Sequence, residues 1–374
     1  MNDMKTLYAL LFLLVTASLN SQTVTTVMEG LFHDGLALDI NGNLYGSDYS
    51  GDSVFKLDVN GNVSTFVSGL NTPNGIGVNS NNEIYICDHE SNRILKYNDQ
   101  GDELASYPTL TPAGIKKMPN SDDMLFVGYG NNTINLLASD GTITQLFSGS
   151  PLNGPAGIAF DDSGTIFIGN FNDRRIHKYD NGVLTYVAQL PSGGINSNFL
   201  GFLTYANGFL YATQLGEHRV YRINPQNVDD LEIYAGSTIG NADGNVADAT
   251  FNLPNGILAS PDGATIYVSD AGTKNLRIIS DVTLSINELK EADFSLLLYP
   301  NPSTEMLTIK GVLLEQSSFD VAVYDTLGQR IFSESNPFET KAFERNINTS
   351  TWSSGIYTVL ITSGTYRTSK KIVK

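Results

Sequence analysis

Cysteine is all but missing from this chain. Its 374 residues contain one, Cys87, so no internal disulfide can hold the fold and stability has to come from packing. Cys87 ends an apolar, strand-like run and is expected to pack as a small buried hydrophobe. Basic side chains are also few, 22 Lys and Arg against 39 Asp and Glu, for a net charge of −17. The imbalance lies between residues 23 and 285, with 12 basic and 28 acidic side chains. A surface of that sign repels phosphate and excludes nucleic acid as a partner. Long apolar runs are absent: Leu7 to Val15 is too short to anchor a chain across a bilayer. No G-x-S-x-G elbow, P-loop, H-E-x-x-H helix or paired C-x-x-C occurs, which removes the common hydrolase, nucleotide and zinc signatures.

Turn formers and aromatics are plentiful instead. The chain has 35 Gly, with 18 Tyr and 18 Phe, and Asn and Asp recur, the composition of short strands joined by tight turns. Residues 1–21 begin with Lys5, continue through the apolar Leu7–Val15 run and end in small and polar residues, the pattern of a secretory signal peptide. Cleavage is expected before Gln22, and no cysteine stands there to take a lipid.

From there a unit repeats six times. Glycines open its first strand at Gly35, Gly75, Gly114, Gly157, Gly201 and Gly256, at a spacing of roughly 40 residues that signals propeller blades. Second strands follow as NLYGSD, EIYICD, MLFVGY, TIFIGN, FLYATQ and TIYVSD, and third strands as SVFKLD, RILKYN, TINLLA, RIHKYD, RVYRIN and LRIIS. Asn60-Gly61, Asp140-Gly141, Asn181-Gly182 and Asp262-Gly263 supply the turn chemistry of tight hairpins. The sixth unit lacks an outer strand, and VTTVMEG (Val24 to Gly30) copies VSTFVSG (Val63 to Gly69). The N-terminal segment is therefore expected to complete the last blade and remove open edges. The reading is all-β: a six-bladed β-propeller over residues 22–282, a polar linker over 283–292, and a small β-sandwich over 293–374.

CDHESNRILKY in the second unit and AGSTIGNADGNVADATFNLPNGI before the sixth resemble the NHL and gluconolactonase-like (SMP-30 type) six-bladed propellers. That resemblance implies the fold but no single activity, since such propellers host lactonases, lyases and binding scaffolds. The C-terminal stretch is similar to the type A sorting domain of the type IX secretion system. The matching residues are Tyr299, Pro300, Asn301 and Pro302 (YPNP), VYDTLGQR, GIYTV with Gly355 and Tyr357, and the basic end Lys370, Lys371 and Lys374. It implies the type IX machinery as a partner, export to the cell surface or the medium, and removal of the domain.

In such a ring, the residue before each opening glycine and the residue ending each second strand are expected to face one rim. The first set is Asp34, Asn74, Ala113, Ala156, Leu200 and Asn255. The second is Asp48, Asp88, Tyr129, Asn170, Gln214 and Asp270. Blades six, one and two alone carry oxygen ligands at both places. Carboxylate and amide oxygens suit calcium or orient a polar ligand, so Asp34, Asn74 and Asn255 are the candidate metal ligands. Asp48, Asp88 and Asp270 equally fit an Asx role in the turns after them. His33 and His89 lie beside Asp34 and Asp88 as candidate bases or ligands. The lactonases of the resembled family hold their metal with an acid before the first-blade glycine, an Asn before the fourth and an Asp before the fifth. Asp34 fits, whereas Ala156 and Leu200 do not. The functional expectation is an exported module binding a small polar ligand or surface partner at this rim, with a metal-dependent hydrolase, lactonase or lyase as the alternative.

Overall fold

The fold is that of a computed structural model, which describes residues 22–192, 198–280, 290–291, 295–325, 330–363 and 366–374. The expected signal peptide and most of the expected linker lie outside the described residues. The chain divides into two compact units, Met1–Thr283 and Leu284–Lys374. No helix among the described residues is long and apolar enough to cross a membrane.

The first unit consists of six small antiparallel sheets. Blade two is typical, with strands Pro73–Val78, Ile84–Asp88, Arg93–Tyr97 and Glu103–Pro108 from inside to outside. Its second strand is buried at all five positions, while its outer strand alternates toward solvent. Stacking explains the difference: inner strands are covered on both faces by neighbouring blades, so they read as unbroken apolar runs.

An apolar cluster fills each of the six seams. Tyr85, Cys87 and Ile94 of blade two meet Ile115, Met124 and Phe126 of blade three, and Leu276 of blade six meets Phe32, Leu36 and Leu44 of blade one. Each such side chain, Ile86 or Phe126 for instance, contributes roughly 1.5–3 kcal/mol when fully buried. Cys87 is a free, buried thiol whose pKa burial raises well above its ordinary value. The Asp39–Asn43 run closes a hairpin: Asp39 accepts the Asn41 and Asn43 amides at 2.9 and 2.8 Å.

Blade six closes the ring as the sequence predicts. Thr23–Met28 pairs antiparallel with Asn275–Ser280. On its outer side lies a short strand, Gly244–Asn245, from the longer connection between blades five and six. Asp243 in that connection accepts Thr26 N at 3.0 Å and Thr26 Oγ1 at 2.9 Å, and pairs with the fully buried Arg277 at 2.7 Å. Arg277 also donates to the Thr250 and Ala242 carbonyls and lies over the Phe251 ring. The connection thus covers the closing strand and ties it to the blade it completes.

The second unit is one continuous sheet in which two 19-residue strands, Met306–Tyr324 and Arg330–Asn348, pair with each other. Early residues of the first pair with Ser295–Tyr299, and late ones with Ile356–Ser363. Leu307 and Ile309 from the early half share one core with Val321, Val323, Val359 and Ile361, so the sheet folds over on itself as a small sandwich.

Candidate functional site

Strand pairing fixes which residues reach the mouth of the central channel. Pro73 lies opposite Asp88, Pro112 opposite Gly128, Pro155 opposite Asn170, Leu200 opposite Gln214 and Pro254 opposite Asp270. The next place inward on each first strand holds Asp34, Asn74, Ala113, Ala156, Gly201 and Asn255. The place following each second strand holds Tyr49, His89, Tyr129, Phe171, Leu215 and Ala271. All of these except Gly201 line one cavity of about 250 Å³, joined by His33, Phe202 and Leu253. A second cavity, of about 190 Å³, runs along the inner strands away from this mouth, and Phe202 lines both.

Two registers differ from the sequence reading. In blade five, Leu203 pairs with Ala212, so Gly201 takes the rim place, Leu200 lies buried one place before it, and Phe202 stands where the other blades have glycine. In blade three the second strand ends at Gly128, and Tyr129 belongs with Tyr49 and His89.

The strand-ending residues also prove to face away from the cavity. Asp88 accepts Asn71 N at 2.6 Å and Arg93 Nε at 2.8 Å. Asp270 accepts Asn252 N at 2.6 Å and Thr273 Oγ1 at 3.1 Å, and burial pushes its pKa up to about 7. Asn170 and Gln214 donate to the Pro151 and Pro191 carbonyls. Asp48 bonds Ser50 Oγ and both of its oxygens take Lys274 Nζ at 3.0 Å. Side chains alternate along a strand, so one place along the chain changes the face. Asp48, Asp88 and Asp270 therefore clamp turns and loops and do not line the mouth.

Asp34, Asn74 and Asn255 do line it, on adjoining blades. Asp34 is only 1% exposed. Its Oδ1 accepts Asn255 Nδ2 at 2.5 Å, and its Oδ2 has no partner among the described residues. Burial raises the Asp34 pKa to about 8, against the lowering effect of the Asn255 bond, and Asp48 raises it further. Asn74 Oδ1 and Asn255 Oδ1 are likewise buried and unpartnered. Asn255 turns its NH2 toward Asp34, which leaves its oxygen for something else.

Three hydroxyls hold this trio by its backbone. Ser269 Oγ donates to the Asp34 carbonyl at 2.7 Å, Ser47 Oγ to that of Asn74 at 2.6 Å, and Thr213 Oγ1 to that of Asn255 at 2.5 Å. All three hydroxyl residues are fully buried, each in the blade before the one it holds. The same place is Cys87, Val127 and Gly169 in the other blades, and there the next rim residue is Ala113, Ala156 or Gly201. Hydroxyls stand only where the adjoining rim is polar. The backbones also touch: a Cβ on Gly35 or Gly256 would collide with the Asn74 or Asp34 carbonyl, a close approach that only glycine allows.

Around the remaining mouth runs an arc of rings. His33 and Tyr49 are stacked at 6.2 Å, Tyr49 and His89 lie 6.3 Å apart, His89 and Tyr129 5.8 Å, and Tyr129 and Phe171 6.0 Å. His89 Nδ1 lies 3.0 Å from the Pro112 carbonyl, which sets a proton on Nδ1, and its Nε2 lies 3.9 Å from Glu90 Oε1. Burial lowers the His33 pKa, against the opposing pull of Asp48, and its Nδ1 is unpartnered. No lysine or arginine lines the cavity. The sequence reading found His33 and His89 but missed Tyr49 and Phe171, and it set Tyr129 in the wrong register. The missed signal was the residue following each second strand, with the serine or threonine two places before it.

In the second unit the three terminal motifs meet. Asn301 Oδ1 accepts Val373 N at 2.9 Å, and Gly355 and Lys374 exchange backbone bonds of 3.1 and 2.8 Å. Residues 297–374 match the model of the secretion system C-terminal sorting domain, and residues 70–97 match that of the NHL repeat. The chain carries one NHL repeat within its propeller and a secretion system C-terminal sorting domain. That tail marks it for export by type IX secretion to the cell surface or extracellular space.

No curated protein sequence matches the chain significantly. Similar solved structures include an auxiliary nutrient binding protein from Bacteroides thetaiotaomicron, 18% identical at a TM-score of 0.58, covering 69% of this chain and 76% of that one. A gluconolactonase from Xanthomonas campestris is 14% identical at 0.53, with 69% and 89% covered. A virginiamycin B lyase from Staphylococcus aureus is 19% identical at 0.50, with 66% and 79% covered. At these identities the likeness shows the propeller fold alone.

Proposed function

We propose that the exported propeller is a binding module whose channel mouth takes a small polar ligand or the polar end of a surface partner. The observation that carries this reading is the trio of buried oxygens, Asp34 Oδ2, Asn74 Oδ1 and Asn255 Oδ1, left without partners among the described residues at the cavity. A buried polar atom without a partner costs roughly 1–3 kcal/mol, and a ligand that donates to it recovers that loss. A concave, largely apolar site with a few convergent polar groups is the usual form of a small-molecule pocket. A nutrient-binding protein of the same fold is in keeping with this role.

A second reading is a metal-dependent hydrolase, lactonase or lyase. It is favoured by one carboxylate and two amide oxygens on adjoining blades, donors of the kind calcium accepts. Asp34, Asn74 and Asn255 would hold the ion, and its chemistry would be to polarise a substrate carbonyl. The donor count fits poorly. Calcium takes six to eight oxygens, yet the facing wall is Ala113, Ala156, Phe202 and Leu215. Among the described residues no three His, Cys, Asp or Glu gather to hold a metal.

Thermal melts of the purified chain test both readings, because a ligand bound only by the folded state raises the melting point. The panel is sugars, amines, carboxylates, lactones, esters and calcium. A rise in wild type that Asp34→Ala abolishes supports the mouth as a binding site. A calcium rise lost in Asp34→Ala, together with lactone or ester turnover, favours the enzyme. No rise with any member returns the trio to a structural role.

A further inference from the structure

Resting on the pocket reading, we propose that the ligand is a small organic amine. Its protonated nitrogen is held by Asp34, Asn74 and Asn255, and its apolar body lies against Phe171, Phe202 and Leu215. The match is one of valence. A primary ammonium carries three N–H donors and no acceptor, and the mouth offers three buried side-chain oxygens without donors. One of them belongs to a carboxyl that is 1% exposed with no lysine or arginine in the lining. Burial keeps a proton on that carboxyl up to about pH 8, and an ammonium bound beside it releases the proton to solvent and takes its place as the countercharge.

The surroundings suit the same chemistry. The ring arc presents the π systems of Tyr49 and Tyr129, which attract ammonium groups. Tyr129 spends its hydroxyl proton on Asn172 Oδ1 at 3.0 Å. A carboxylate or phosphate ligand would set its own oxygens against those of Asp34, Asn74 and Asn255. A metal ion would leave the apolar half of the cavity unused. The buried hydroxyls of Ser47, Thr213 and Ser269 hold the three oxygen-bearing residues in place before any ligand arrives, as a preorganised site requires.

Calorimetric titration of the full chain with 2-phenylethylamine, 2-phenylethanol and phenylacetate tests this, the three probes sharing a body and differing in the head group. The amine is expected to bind at least ten-fold more tightly than the alcohol, with the carboxylate weakest. Asp34→Asn keeps the shape but removes the charge, and should weaken the amine at least ten-fold while leaving the alcohol nearly unchanged. Asn74→Leu is a second variant that disturbs no hydrogen bond of the fold, and it too should weaken the amine. Equal binding of amine and alcohol, or an amine affinity indifferent to both variants, overturns the inference. If all three probes fail while another panel member gives an Asp34-dependent melting shift, the amine is wrong and the pocket stands. If nothing shifts, both fall.

Discussion

Asp34 makes the fold's stability depend on pH in a direction that can be worked out. Its carboxyl titrates at about 8 when folded against 3.8 in the ordinary case, so between those values the native state holds a proton that the unfolded chain has released. Stability therefore falls as pH rises through that window, by up to about 1.4 kcal/mol per pH unit. Asp34→Asn removes the titrating group and keeps the hydrogen bond geometry, so relative to wild type it should gain stability at pH 9 over pH 5. Urea midpoints at the two pH values measure this, and taking the difference between the proteins cancels the parallel contribution of Asp270; parallel profiles would show that Asp34 is not buried as described. The hydroxyl layer makes a second prediction at this scale. Ser269→Ala leaves the buried Asp34 carbonyl without its donor and should cost roughly 1–3 kcal/mol, whereas Ser50→Ala, on an exposed turn, should cost a few tenths at most. Equal midpoints for the two variants would remove Ser269 from its supporting role.

Closure of the ring belongs to one element, Thr23–Met28. Deleting residues 23–29 exposes the backbone ladder of Asn275–Ser280, strips Asp243 of its Thr26 bonds and opens an edge that invites pairing with other chains. The product should aggregate; a truncated chain that stays monomeric in light scattering, with an unchanged melting point, would show that the sixth blade does not need this strand. The same closure was readable beforehand because it is written locally, in a copied strand at the wrong end of the chain. The blade period was readable for a similar reason, since glycines and hairpin turns are required where they stand. What escaped the sequence were single-residue offsets. Gly201 precedes Phe202 and imitates an opening glycine, although only pairing with the Phe209–Gln214 strand shows which of the two holds that place. The aromatic arc has no common residue type at its six places, Tyr, His, Tyr, Phe, Leu and Ala, and so leaves no repeat to notice. Asp48, Asp88 and Asp270 drew attention as acids in a repeated position, yet their repetition reflects a repeated loop clamp, and strand alternation turns them from the mouth.

For the whole molecule the two units have separate jobs and separate means of folding. The propeller buries its six seams with its own residues, and the tail has its own core of Leu307, Ile309, Val321, Val323 and Val359. Their charges differ as well: the propeller carries the acidity, while residues 286–374 hold 9 basic and 10 acidic side chains. Such units fold alone when each owns a core. Removing residues 293–374 should therefore leave a folded propeller with its ring closed and its mouth intact, but without the signal read by the export machinery. If residues 1–21 serve as the expected signal peptide and take the chain across the inner membrane, the truncated protein should collect in the periplasm of the producing strain, while the full-length protein reaches the surface or medium. Fractionation followed by blotting measures the destination, and a thermal melt of the recovered propeller measures its fold. Truncated protein found outside the cell in the same proportion as full-length protein would sink the sorting role, and a propeller that no longer melts cooperatively would sink the independence of the two units.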